Sequence, residues 1–314
     1  MVQNPARSIT VIRPGMLTTI QDFGRWGQQA SGVPVAGPMD GYSHRLANLL
    51  VGNSESAAAL EITLIGPELQ VEGDLLCAVA GAEFAVFVGG HAVRHTCPFR
   101  VPSGATIRFS QRRSGARATL AVRGGVAVPP VFGSRSTSLL SHIGPFGGRP
   151  LAAGDVLPVG EERRFDDQAW SAYPMVMPRG GARVRAMPGP HDAMFTSQAL
   201  ERFFSTRYTI TPTSNRTGYR LDGPRISHSG AADILSDATP FGSVQVPGSG
   251  QPILLMADRQ TTGGYPKIAT VISADLPIAG QLAPGDWIEF IPCTHAAALD
   301  ALRLQERRLT GRAR

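Results

Sequence analysis

Apolar residues recur along this chain in short runs, several alternating with polar ones, and the runs close on glycine or proline. "LLCAVAG", "EFAVFVG", "ATIRFS", "ATLAVRG" and "PILLMAD" are of this kind. Runs of that length between turn residues predict many short strands, as in a barrel or sandwich. Helices are few: leucines at helical spacing predict one in "GYSHRLANLLVG" (41–52), and "TSQALERFFS" (196–205) and "THAAALDALRLQERRL" (294–309) predict two more.

The halves echo each other. "VPSGATIRF" (101–109) matches "LAPGDWIEF" (282–290) in its turn, central isoleucine and final phenylalanine, and "LIGPEL" (64–69) matches "LDGPRI" (221–226). Occurring in the same order, they predict two related β-domains, 1–165 and 182–314, the second ending in a helix. The joint falls near 165–182, in a polar stretch bearing proline and glycine.

Composition narrows the class. The 314 residues suffice for two ordinary domains, and 42% hydrophobic against 17% charged residues fits a globular chain rather than a disordered one. A net charge of +6 raises the question of a nucleic-acid partner. The arginines are scattered, however, and the "RR" pairs at 112 and 163 and the "ERRLTGRAR" tail form no long stripe, so none is expected. No apolar run approaches the roughly 18 residues that span a bilayer, and "MVQNPARSIT" lacks a signal-peptide core, so a soluble, cytoplasmic protein is expected.

Cys77, Cys97 and Cys293 lack CxxC spacing and read as reduced thiols. His91 and His95 are four apart, but Ala92 stands where a metalloprotease motif needs glutamate, and the flanks read as strand and turn; no metal site is expected. GxxxxGK[ST], a helix-opening GxGxxG and GxSxG are all absent, which removes a P-loop, a dinucleotide fingerprint and a nucleophile elbow.

Lys267 is the only lysine in the chain, every other cationic side chain being arginine. A compact ammonium differs from a planar guanidinium in geometry and in how burial moves its pKa, so a lone lysine among arginines points to a functional demand. It lies between Pro266 and Ile268, not in the Met-Lys-Met turn of a biotin carrier.

Polar residues crowd two glycine-rich stretches. In residues 18–48, Gln21, Asp22, Arg25, Asp40 and Asn48 have little apolar sequence to accompany them; Asp40 suits either the N-cap of the following helix or a site. In residues 213–276, the apolar strand "PILLMA" ends in Asp258, Arg259, Gln260, Thr261 and Thr262, then Gly-Gly, Tyr265 and Lys267. So many polar groups would be costly to bury unless they pair or hold a ligand.

"TIQDFGRWG", "GVPVAGPMD", "LEITLIGPEL", "FGSRSTS", "SNRTGYRLDG", "PFGSVQVPGSGQPILLMADRQTTGGYPKIATVI" and "LAPGD" together resemble the KipA-type proteins, also called allophanate hydrolase subunit 2 or the biotin-dependent carboxyltransferase family. The resemblance runs from about residue 9 to 292. It implies a mainly β chain of two cyclophilin-like β-barrel domains with a few short helices, and a KipI-type partner. The first function it implies is that of the C component of an ATP-dependent 5-oxoprolinase, a hydrolase that opens 5-oxoproline to L-glutamate. That component works with a KipI-type B component and an A component, and needs those partners for activity. The alternatives are the carboxyltransferase component of a biotin-dependent urea or amide carboxylase, and a regulatory module binding a kinase inhibitor. ATP with magnesium is expected at the level of the complex, and biotin only in the second reading, carried on another chain.

Either chemistry must stabilise an anionic oxygen beside a phosphate or carboxylate, which calls for fixed cationic donors. Lys267 and Arg259 suit that role, and Arg216 or Arg25 could grip a carboxylate bidentately. Asp258 or Asp22 could take a proton from the amide nitrogen or orient the arginines. Gln260 and Tyr265 would position substrate, and Asp40, Asn215, Gln245, Gln251 and Thr261 complete the candidate binding set.

Overall fold

The computed structural model describes residues 7–162 and 173–310. The chain divides into two compact units: the first reaches Trp26 and resumes from Ala36 to Met177, while the second takes Gly27–Val35 and Pro178–Arg307, so the division is not a single cut. Of the expected joint, residues 165–172 lie outside the described residues. The chain is mainly β, as expected, with one closed barrel and one half-barrel.

The first unit holds β1 (Ser8–Arg13), β2 (Leu17–Gln21), β3 (Ala59–Thr63), β4 (Glu68–Glu72), β5 (Leu75–Val88), β6 (His91–Ala92), β7 (Phe99–Val101), β8 (Thr106–Val122) and β9 (Val156–Pro158). They form one sheet whose main path runs β2-β3-β8-β4-β1-β9, with β5 pairing β6, β7 and β8. Alternation puts Ile9, Val11, Ile62, Val71, Val79 and Leu120 into its core. α1 (Gly41–Leu50) begins at Asp40, whose carboxylate accepts from Ser43 N at 2.8 Å and Ser43 Oγ at 2.6 Å, a cap worth about 1 kcal/mol. Tyr42, Leu46 and Leu49 pack on Ala59, Ala78, Ala80 and Ala121, small residues that let the helix approach the sheet. α2 (Pro145–Gly148) is a single distorted turn.

The second unit holds β10 (Gly181–Pro188), β11 (Arg207–Ile210), β12 (Gly218–Asp222), β13 (Asp237–Ala238), β14 (Ser243–Gln245), β15 (Ile253–Leu255), β16 (Thr262–Gly263), β17 (Lys267–Val271) and β18 (Trp287–Pro292). Seven of these close a barrel in the order β10-β17-β14-β15-β12-β11-β18, the seam being a parallel β10–β18 pair, and β13 and β16 form a separate ribbon. α3 (Ser197–Ser205), capped by Thr196, stacks Phe203 on Phe290 with ring centroids 4.6 Å apart. α4 (Leu276–Gly280) is short, and α5 (His295–Thr310) matches the expected C-terminal helix. No helix of the described residues is long and apolar enough to cross a membrane.

The glycines of the repeated hexapeptide do the same job in both units. A Cβ on Gly66 would lie 2.2 Å from Phe109 Cβ, and one on Gly223 would lie 2.6 Å from Tyr208 Cδ1. In each, the turn presses its backbone on an aromatic ring.

Candidate active site

β17 opens on Lys267, whose side chain is 1% exposed. Its Nζ donates to Asp237 Oδ2 at 2.8 Å, and the Asp237 side chain is 51% exposed. The hydrogen bond from Lys267 holds the Asp237 carboxyl below its ordinary range, helped by Ala238 N and by the charges of Lys267 and His191. A buried ammonium thus meets solvent through a carboxylate. The compact end of lysine fits that geometry, whereas an arginine fork would have to spread over the same space.

His191 completes the group. Its Nδ1 accepts from Lys267 N at 3.4 Å, its backbone N–H donates to Lys267 O at 3.3 Å, and its Nε2 lies 3.9 Å from Asp237 Oδ2. Burial lowers the imidazole pKa, the Lys267 charge lowers it further, and Asp237 pulls the other way, so the ring is neutral near pH 7. Gly189 makes the approach possible, since a Cβ there would lie 2.1 Å from Lys267 O.

The barrel register sets Gln245 opposite Lys267, and the β13–β16 ribbon sets Asp237 opposite Gly263. Beside them lies an amide pair: Gln260 Nε2 donates to Gln245 Oε1 at 3.2 Å, and Gln245 Nε2 to Tyr265 O at 3.4 Å. Gln245 is buried and Gln260 exposed. Thr239 ties the edge together, its hydroxyl donating to Gln260 O and its N–H to Thr261 O. Arg259 Nε donates to Thr239 O at 2.7 Å, and its guanidinium lies 5.5 Å from the Phe241 ring centroid. Burial lowers the Arg259 pKa, and Asp258 opposes the shift.

Other candidates in the second unit are engaged in contacts within the chain. Arg216 grips Asp258 bidentately, Nε–Oδ2 and Nη2–Oδ1 both 3.0 Å, with side chains 4% and 2% exposed. The Arg216 fork is thus occupied by Asp258 in this structure, the pairing that the orienting alternative for Asp258 expects. Asn215 Oδ1 accepts from Thr217 N at 2.8 Å in a local turn, and Gln251 Nε2 donates to Gly223 O at 3.1 Å.

Asp22, Arg25 and Asp40 belong to the first unit. Burial would raise the Asp22 pKa, but hydrogen bonds from Ser134 Oγ, Arg135 N, Ser136 Oγ and Gly24 N outweigh it and hold the carboxyl below its ordinary value. It organises the "FGSRSTS" loop and is a weak base. Arg25 donates to Ser136 O in the same loop, and Asp40 takes the cap.

Of the sequence candidates, Lys267, Gln245, Gln260, Thr261, Tyr265 and Arg259 come together in the second unit. Sequence reasoning missed His191, Asp237 and Thr239. The one available signal was Lys267 itself: a buried lysine demands a carboxylate, though spacing does not say which.

The model of the family described as "Carboxyltransferase domain, subdomain A and B" matches residues 31–292. The chain is 40% identical over 299 residues to the C component of the 5-oxoprolinase of Escherichia coli, covering 95% of this chain and 96% of that protein. It is 34% identical over 310 residues to urea amidolyase of Saccharomyces cerevisiae, covering 93% of this chain and 17% of that protein. The crystal structure of the Kluyveromyces lactis urea amidolyase superposes with a TM-score of 0.91 at 32% identity, over 96% of this chain and 20% of that one.

Proposed function

The chain belongs to the family of carboxyltransferase domains, subdomains A and B, and from that premise we propose that it serves as the C component of an ATP-dependent 5-oxoprolinase. What carries the reading is reach. The match to the Escherichia coli component spans both proteins almost end to end, whereas the match to urea amidolyase takes up 17% of that protein.

The geometry suits a cyclic amide. A lactam presents N–H and C=O side by side, and a primary amide such as that of exposed Gln260 offers the complementary acceptor and donor. The Lys267 ammonium, buried behind Asp237, adds positive potential against charge developing on the lactam oxygen, and fixed charge of this kind is most effective where burial limits screening. Asp237 keeps that ammonium oriented, and Arg259 adds positive potential at the edge.

ATP supplies the driving force for opening the ring. Among the described residues no group of three or more His, Cys, Asp or Glu side chains is placed to hold a metal ion. Magnesium bound to nucleotide takes most of its ligands from phosphate and water, and in this reading the nucleotide belongs to the assembly with a KipI-type B component and an A component.

The test is ATP-dependent release of glutamate from 5-oxoproline by the three proteins mixed, each omitted in turn. The reading requires that activity vanish without this chain; undiminished activity in its absence overturns it. A second reading, carboxyl transfer to urea from a biotin carried on another chain, is favoured by the TM-score of 0.91 to urea amidolyase. Carboxylation of urea in the presence of carboxybiotin, with no glutamate release, would establish that reading instead.

A further inference from the structure

His191 lies against both members of the Lys267–Asp237 pair: its Nδ1 accepts from Lys267 N at 3.4 Å, and its Nε2 stands 3.9 Å from Asp237 Oδ2, close enough for electrostatic attraction but longer than a hydrogen bond. An imidazole nitrogen that accepts a hydrogen bond carries no proton, so the contact from Lys267 N to Nδ1 places the proton of the neutral ring on Nε2. That nitrogen faces Asp237 Oδ2. We propose that His191 is a positioning residue: locked in this tautomer by the Lys267 backbone, it turns Nε2–H toward Asp237 and keeps that carboxylate on the Lys267 ammonium. The proposal rests on the 5-oxoprolinase reading for its consequence in catalysis, and on geometry alone for the contact.

The arrangement has a built-in sensitivity to acid. Protonation sets Nδ1–H against Lys267 N–H and gives Asp237 a second cation to serve. The charged groups facing the ring are Lys267 from β17 and Asp237 from β13, with Asp192 the next residue in the chain. Lowered imidazole pKa keeps the ring in its working form at neutral pH. Asp237 sits on a two-residue strand and is half exposed, and its other oxygen, Oδ1, accepts from Ala238 N at 2.7 Å.

The single lysine gives a direct probe, because lysine labelled with carbon-13 at Cε yields one side-chain signal from the whole chain. The full-length protein alone is titrated downward from neutral pH. The expected result is a step in the Lys267 signal as His191 protonates, absent in both His191→Gln and His191→Ala. In the assembled complex, His191→Ala lowers kcat by about tenfold or more, with KM little changed and the acid limb of kcat/KM displaced. His191→Gln, whose amide reaches toward Asp237, retains more activity. A wild-type signal without the step, or a step that persists in both variants, overturns the proposal whatever the complex does. If the step behaves as expected and the complex opens no 5-oxoproline, the positioning role stands and the reaction assigned to it falls.

Discussion

Two ion pairs in the second unit use the same chemical groups to opposite ends. Arg216 and Asp258 are both nearly sealed from solvent and satisfy each other through a planar fork. Lys267 is equally buried, but its partner Asp237 is half exposed and rests on a two-residue ribbon. A sealed pair holds the barrel end and has nothing left to offer a ligand; an open pair leaves one charge reachable and the other concentrated behind it. Asp258 sits among the polar residues of "DRQTTGGYPK", yet its carboxylate is taken up by Arg216.

Breaking the sealed pair gives the largest effect on stability. Arg216→Met strands a buried carboxylate and is expected to cost about 3–5 kcal/mol, read from denaturant unfolding; a loss under about 1 kcal/mol would mean the pair is not sealed.

Histidines show the same contrast between closed and open. His44, wholly buried in α1 with its ring 5.4 Å from that of Phe23, has its pKa lowered to about 4 by desolvation, against an opposing pull from Asp22. It is neutral in the fold and protonates below about pH 6.5 once unfolded. The stability it contributes is therefore present above pH 6.5 and is lost as pH falls toward 4, amounting to about 2 kcal/mol by pH 5. His44→Gln should flatten that part of the profile of melting temperature against pH; an unchanged slope would rule His44 out as its source.

A smaller effect is expected where the open site meets its amide pair. A Cβ on Gly263 would lie 2.7 Å from Gln245 Nε2 and 3.1 Å from Gln260 Nε2. Both are the far ends of flexible side chains, so Gly263→Ala should cost only about 1 kcal/mol while raising KM. Unaltered KM would remove the amide pair from substrate binding.

The fold was legible because it rests on local rules. Alternating apolar runs became strands, the three expected helices formed as α1, α3 and α5, and the Gly-Pro echoes mark turns pressed on Phe109 and Tyr208. The candidate site was legible as far as Lys267 and "DRQTTGGY", which one loop brings together. Asp237 and His191 were not, because each stands 30 or more residues from Lys267, and barrel closure and the β13–β16 ribbon bring them in. Asp40 shows the opposite limit: a polar residue in a glycine-rich stretch reads alike as cap or ligand until the helix behind it is seen.

If the open pair is the working one, charge on Asp237 matters more to the reaction than to the fold. Asp237→Asn leaves the buried Lys267 ammonium with a neutral amide in place of its carboxylate, so some stability is lost along with the orienting partner. In the reconstituted 5-oxoprolinase assay, run below the melting temperature followed in parallel, the expected result is about a tenfold or greater fall in glutamate release from protein that is still folded. Full activity in the Asp237→Asn protein would contradict the assignment of Lys267 and Asp237 to the chemistry.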